Sequence, residues 1–368
     1  MQDRIPYTVF RSFTLLYIIS SLITSCKKDK KPDTSVFKTI SFSGESFITE
    51  ARAGVASASL KVELFFAGGK NASAYSNVID IYDVTNDTWK THSLTEGKEG
   101  LAAAACDNTV AFAGGLTSSG LSSKVDLYNA ATKKWSVAQL SEARSYTAAT
   151  ASANAIYFGA GNCTACGGAS KTVDIYDPIG NKWTTTQLSE ARVYLSAAAT
   201  DGKVLFAGGL SVNGMSSTVD IYDERTKTWT TAKLSEPRAQ LAATATNGKI
   251  FFAGGNNNNA DLNTVDIYDT RTNTWSTARL SEARAFLAAT AIGNKVFFAG
   301  GLKNGVVASD VIDVYDTATG SWLTMKLSKA RGLIGAAAAL NKAIFAGGMN
   351  PPLPDPMYKT AELFTLYH

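Results

Sequence analysis

Seven cations recur along the chain at nearly even spacing: Arg52, Lys98, Arg144, Arg192, Arg238, Arg284 and Arg331. Glu50, Glu96, Glu142, Glu190, Glu236 and Glu282 stand two residues before the first six, and Lys329 takes that place at the seventh. Two residues after each cation the side chains diverge, into Gly54, Gly100, Tyr146, Tyr194, Gln240, Phe286 and Leu333. Guanidinium forks match carboxylates, and rings beside them suit stacking on a glycan or peptide. The candidate ligand-binding residues are therefore Arg144, Tyr146, Arg192, Tyr194, Arg238, Gln240, Arg284, Phe286 and Arg331. Structural readings compete with that one: the Glu–Arg sets as a salt-bridge girdle, the rings as packing between repeats. The Lys329 sector, which lacks its acid, is expected to be the most positive.

The elements that hold these residues follow from a repeat. Tryptophans fall at 89, 135, 183, 229, 275 and 322, a spacing of 46 to 48 residues, each with a tyrosine seven residues earlier. A phenylalanine and a small-glycine pair recur in the same register, reading FAGG in six copies and FGAG in the third, where Ala160 replaces the first glycine. The fifth copy divides into LAATAT (241–246), the hairpin dipeptide Asn247-Gly248, KIFFAGG (249–255), TVDIYD (264–269) and TWSTARL (274–280). These are four short strands, A to D. Repeated about every 46 residues, they predict an all-β, seven-bladed β-propeller of four-stranded antiparallel blades.

The stretch LSEARAFLAATA (280–291) is rich in alanine and nearly helical in spacing. The propeller assigns its end to strand A instead. Blades converge on an axis, so the innermost strand needs small side chains and the outer strands need Tyr and Trp. The last copy has no Trp and no fourth strand, and SGESFITEAR (43–52) aligns with WTTAKLSEPR (229–238). The N-terminal segment is thus expected to supply strand D of the last blade, which removes open sheet edges. Strand alternation puts D–A and B–C loops on one face. The B–C loops are the variable ones among the copies, which marks that face for binding.

The glycine pair, the Tyr about fourteen residues on and the Trp seven after that resemble the kelch family, over about residues 43–366. The WD40 alternative lacks its Trp-Asp pair. The resemblance implies binding on the D–A/B–C face. It also brings enzyme precedents. Galactose-oxidase-like copper sites need two histidines, and the chain has only His92, on an outer strand, and His368, at its end. Sialidase boxes are absent. Sialic-acid mutarotases need only polar groups at the channel mouth, so the Glu/Arg ring keeps a glycan-processing enzyme of that kind as the alternative. Nothing in the sequence singles out a general acid or base, and no catalytic residue, metal or cofactor is assigned.

Before the repeats, Arg4 and Arg11 precede an apolar run from Ser12 to Ile23, and Ile23-Thr24-Ser25-Cys26 is followed by KKDKKPD. Twelve apolar residues are too few to span a bilayer as a helix. They resemble a bacterial lipoprotein signal; an ordinary secretory peptide or an uncleaved anchor is the alternative. The expected organisation is a signal peptide at 1–25, lipidated Cys26 and a flexible tether at 26–35, and the propeller at 36–368. The resemblance implies lipid anchoring in the cell envelope, with the outer membrane, facing periplasm or surface, as the expected site. Much of the formal charge of +4 lies in the tail, so no basic face for nucleic acid is implied.

The remaining chemistry is in four cysteines. Cys163 and Cys166 alone cannot complete a four-ligand zinc site. In an exported chain they read as a local disulfide, with a redox role as the alternative. Cys106 reads as a small buried thiol. The expected function is a non-catalytic binding module for a glycan or protein ligand, on a monomeric propeller.

Overall fold

The computed structural model describes residues 36–351 and 357–368. Residues 1–35, where a signal peptide, a lipidated Cys26 and a tether are expected, lie outside the described residues. Among the described residues there are seven four-stranded antiparallel sheets, each in the order A-B-C-D from the centre outwards. The seven innermost strands touch one another in a closed cycle, from Ala56–Leu60 through Ala102–Cys106, Ala148–Ala151, Ser196–Thr200, Ala242–Thr246, Ala288–Ile292 and Gly335–Ala339 back to the first. The stretch 280–291 forms no helix. Residues 280–287 are irregular linker, and the alanines enter strand A at Ala288.

The taper accounts for these choices. Strand B is the most deeply buried: Phe66, Phe112, Phe158, Phe206, Phe252, Phe298 and Phe345 are all 0% exposed. On the outer strands each Tyr faces the Trp seven residues on across the C–D ladder, as Tyr222 faces Trp229. The two rings lie 5.0 Å apart. Offset aromatic pairs of this kind add about 0.5–1.5 kcal/mol beyond the area they bury. The apolar core is accordingly seven wedges between neighbouring blades rather than one centre; Leu205 and Ile221 of blade four, for example, pack on Phe252 and Tyr268 of blade five.

The glycine pair is the joint between blades. Its second N–H donates to the carbonyl of the next repeat's cation in all seven copies, as Gly209 to Arg238 at 2.8 Å and Gly348 to Arg52 at 2.8 Å. Its first glycine has φ near +60°, and a Cβ on Gly300 would come within 2.3 Å of the Arg331 carbonyl oxygen. Ala160 occupies that position at φ 58°, where a side chain costs roughly 1–2 kcal/mol. The B–C ladder of blade three shifts register between Gly159 and Gly161.

The ring closes as the alignment of 43–52 implies. Thr39–Phe47 pairs antiparallel with Thr360–Tyr367 as the outermost strand of blade seven. Ile48 is 1% exposed in the core between blades seven and one. Upstream, Asn294 of blade six donates its side-chain amide to the Phe37 carbonyl at 3.1 Å, and Phe37 stacks on His368 at 4.4 Å. No helix among the described residues is long and apolar enough to cross a membrane.

Candidate functional site

The linker from strand D to the next strand A carries the cation into the interior. All seven cations are 0% exposed. The guanidinium of Arg192 donates to the carbonyls of Gly208 at 2.8 Å and Thr218 at 2.7 Å, and to the carboxylate of Asp220. The same pairing recurs with an acid on strand C of every blade. Arg52 pairs with Asp80 at 2.7 Å, Lys98 with Asp126 at 3.2 Å, Arg238 with Asp266 at 2.7 Å, Arg284 with Asp313 at 2.8 Å and Arg331 with Glu362 at 2.7 Å, while Arg144 pairs with Asp174. The acid's other oxygen caps the linker backbone, as Asp220 does for the Ser189 N–H at 2.8 Å. The cation thus ties strands B and C to the incoming linker.

This corrects the expectation that Arg144, Arg192, Arg238, Arg284 and Arg331 present their charge to a ligand. They are sealed inside the blades; the main partner of the first four is the aspartate of the VDIYD-type strand, not the glutamate two residues before, and that of Arg331 is Glu362 at the same strand position. Six glutamates accept from a strand C hydroxyl or its neighbour, as Glu236 does from Thr264 at 2.6 Å. Where Lys329 replaces the glutamate, its ammonium lies 5.4 Å from the Tyr358 ring centre. The sequence carried a sign of the true partner, since an acid stands at the same strand C position in every copy.

The residues two after each cation behave differently. All seven take the left-handed conformation: φ is 50° at Tyr146, 55° at Tyr194, 59° at Gln240, 54° at Phe286 and 56° at Leu333, with Gly54 and Gly100 alongside. Backbone hydrogen bonds link many of them around the axis, Gln240 donating to Tyr194 at 3.0 Å, Phe286 to Gln240 at 3.1 Å and Leu333 to Phe286 at 3.2 Å. Their side chains line one pocket of about 520 Å³ at the channel mouth, with the aliphatic residues that follow them, such as Leu195, Leu241 and Leu287. None of the seven cations and none of the six glutamates lines it. Lys70, Glu99, Met349 and Met357 do, and the sequence reading missed all four.

The pocket is lopsided because the mouth residues are glycine in blades one and two and large in the others. Tyr146 leans into that space, so that a Cβ on Gly100 would stand 2.8 Å from its ring. The Tyr146 and Tyr194 ring centres are 4.9 Å apart.

A profile of the kelch motif matches residues 191–233 and 237–279, the repeats of blades four and five. Two adjacent repeats of this seven-bladed β-propeller thus carry the kelch motif. No curated protein matches it significantly. Kelch propellers commonly serve as binding scaffolds, generally for protein partners.

On this kelch face, burial and then the nearby Glu99 charge push the Tyr146 phenol up to about 12, and the same two causes raise Tyr194. Both hydroxyls are therefore neutral donors at physiological pH. The other chemistry lies elsewhere in the kelch domain. Cys163 and Cys166 form a disulfide in the B–C loop of blade three, with Glu142 against it. Both sulfurs are committed to that bond, so they are not metal ligands. Cys106 is buried, its thiol pushed up to about 11 by burial and by Asp107. His92 stacks on Trp135 at 4.1 Å on the outer rim. The mutarotase alternative relied on the Glu/Arg ring as reacting groups at the channel mouth, and that ring does not reach the pocket.

Proposed function

We propose that this kelch propeller is a non-catalytic binding module of the cell envelope, held there by a lipid on Cys26, and that it takes a glycan or protein ligand through its D–A/B–C face. The observation that carries this reading is the row of strained residues at the mouth. A left-handed residue with a side chain costs roughly 1–2 kcal/mol where glycine would not, and Gly54 and Gly100 occupy the same position without that cost. Tyr146, Tyr194, Gln240, Phe286 and Leu333 incur it while remaining only half-buried and facing one pocket. Packing alone would not call for it, since the position is not part of the wedge cores.

The test is an array of glycans and envelope-protein peptides probed with the full chain and with Tyr194→Ala. Binding that Tyr194→Ala weakens at least tenfold supports the site. Binding that ignores both Tyr194→Ala and Phe286→Ala moves the ligand off this pocket. For the anchor, Cys26→Ala should shift the protein from the membrane fraction to the soluble one; unchanged fractionation refutes the lipid.

A further inference from the structure

The pocket's composition narrows the ligand. Its walls are apolar or aromatic over most of their extent, and two charges stand on the glycine side, Lys70 and Glu99. They are not equivalent. Lys70 is exposed, with its ammonium 5.6 Å from the Tyr75 ring centre. Glu99 is half-buried, and among the described residues its carboxylate has neither an ion pair nor a side-chain hydrogen bond. The neighbouring Lys98 points inward to Asp126 and does not neutralise it. An unpaired carboxylate beside apolar walls offers an incoming cation a charge partner there. Two tyrosine rings, Tyr146 and Tyr194, stand tilted at 48° on the adjoining wall, and their faces attract cations. Glu99 is close enough to both phenols to act on their ionisation.

Resting on the pocket reading above, we propose that the ligand is a peptide segment that presents an ammonium group on an apolar body. The ammonium sits between Glu99 and the Tyr146–Tyr194 pair. The apolar body lies against Phe286, Leu333 and Met349. A sugar polyol would leave its hydroxyls facing aliphatic walls, which disfavours it.

The test measures binding of 2-phenylethylamine, 2-phenylethanol, phenylacetate and glucosamine to the full chain in mild detergent, by saturation-transfer NMR and calorimetry at pH 7. The amine is expected to bind about tenfold tighter than the alcohol, the scale of a cation–π contact with a partly desolvated carboxylate nearby. Phenylacetate and glucosamine should bind more weakly than either. Glu99→Gln should bring the amine-to-alcohol ratio close to one while leaving the melting temperature unchanged. Tyr194→Ala should weaken both.

An alcohol as tight as the amine, or phenylacetate tighter than both, overturns the ammonium assignment and leaves the pocket standing. Glucosamine tighter than the amine overturns the apolar body. A ratio that survives Glu99→Gln overturns the role of that carboxylate. If none of the four probes binds, the pocket reading falls as well.

Discussion

Arg192→Met separates a scaffold role from a ligand role for the cations. Its guanidinium donates to the Gly208 and Thr218 carbonyls and to the Asp220 carboxylate, with a Glu190 carboxylate oxygen 3.6 Å from its Nε, and the side chain is fully buried. Methionine fills much of the volume but leaves Asp220, 2% exposed, with the Ser189 N–H as its remaining donor. An uncompensated buried charge of this kind costs about 3–5 kcal/mol. At roughly 2 °C per kcal/mol for a chain this large, the melting temperature should fall by on the order of 6–10 °C. Asp220→Asn keeps an acceptor for Ser189 and removes the charge. The double variant should therefore be more stable than Arg192→Met alone by about 2 kcal/mol or more. Urea unfolding of the wild type, both single variants and the double gives the cycle. Below the transition, Arg192→Met should bind pocket ligands as the wild type does. Additive losses across the cycle, or a fully stable Arg192→Met that loses its ligand, would refute the buried-pair reasoning.

Three more outcomes follow from the geometry. Deleting 39–47 removes the outermost strand of blade seven and bares the apolar side of Thr360–Tyr367, so cooperative melting should be lost or shifted strongly downwards; an unchanged melt would show that closure is unnecessary. Gln240→Gly relieves a left-handed side chain at φ 59° at the expense of added backbone entropy, so stability should hold or rise by up to about 1 kcal/mol while pocket binding weakens; a clear loss of stability would contradict the strain. Burial disfavours the Asp316 carboxylate, but hydrogen bonds from Lys295 and Asn294 prevail and hold its pKa at about 2, against an ordinary 3.8. That depressed value stabilises the fold above pH 3.8 and is lost as pH falls towards 2, so acid unfolding measured by circular dichroism should be less steep in Asp316→Asn; an identical acid transition would remove Asp316 from the account.

The fold was legible because it is periodic. A spacing of 46 to 48 residues between tryptophans, a tyrosine seven before each and a glycine pair in register are short-range regularities, and strands and tight turns are short-range structures. Even the closure was readable, since Ile48 and Arg52 align with Leu234 and Arg238 of a complete repeat. The taper from alanine to tryptophan is a statement about size, and size is written in residue type.

The site was legible only in part. Tyr146, Tyr194, Gln240 and Phe286 do gather at the mouth, but the arginines two residues before them point inwards. The D–A linker is irregular, so no period of two or 3.6 says which way its side chains face. The acid that captures Arg192 lies 28 residues further along the chain, and the half-buried glutamate two residues away looked like the obvious partner. Lys70 and Glu99 come from different blades and share the pocket only because the ring is closed. Sequence by itself determined the repeat, the strand order and the wedge. Which charges are buried as scaffold and which stand free in the pocket was decided by tertiary structure, because burial and charge partnership depend on contacts between blades that no local pattern encodes.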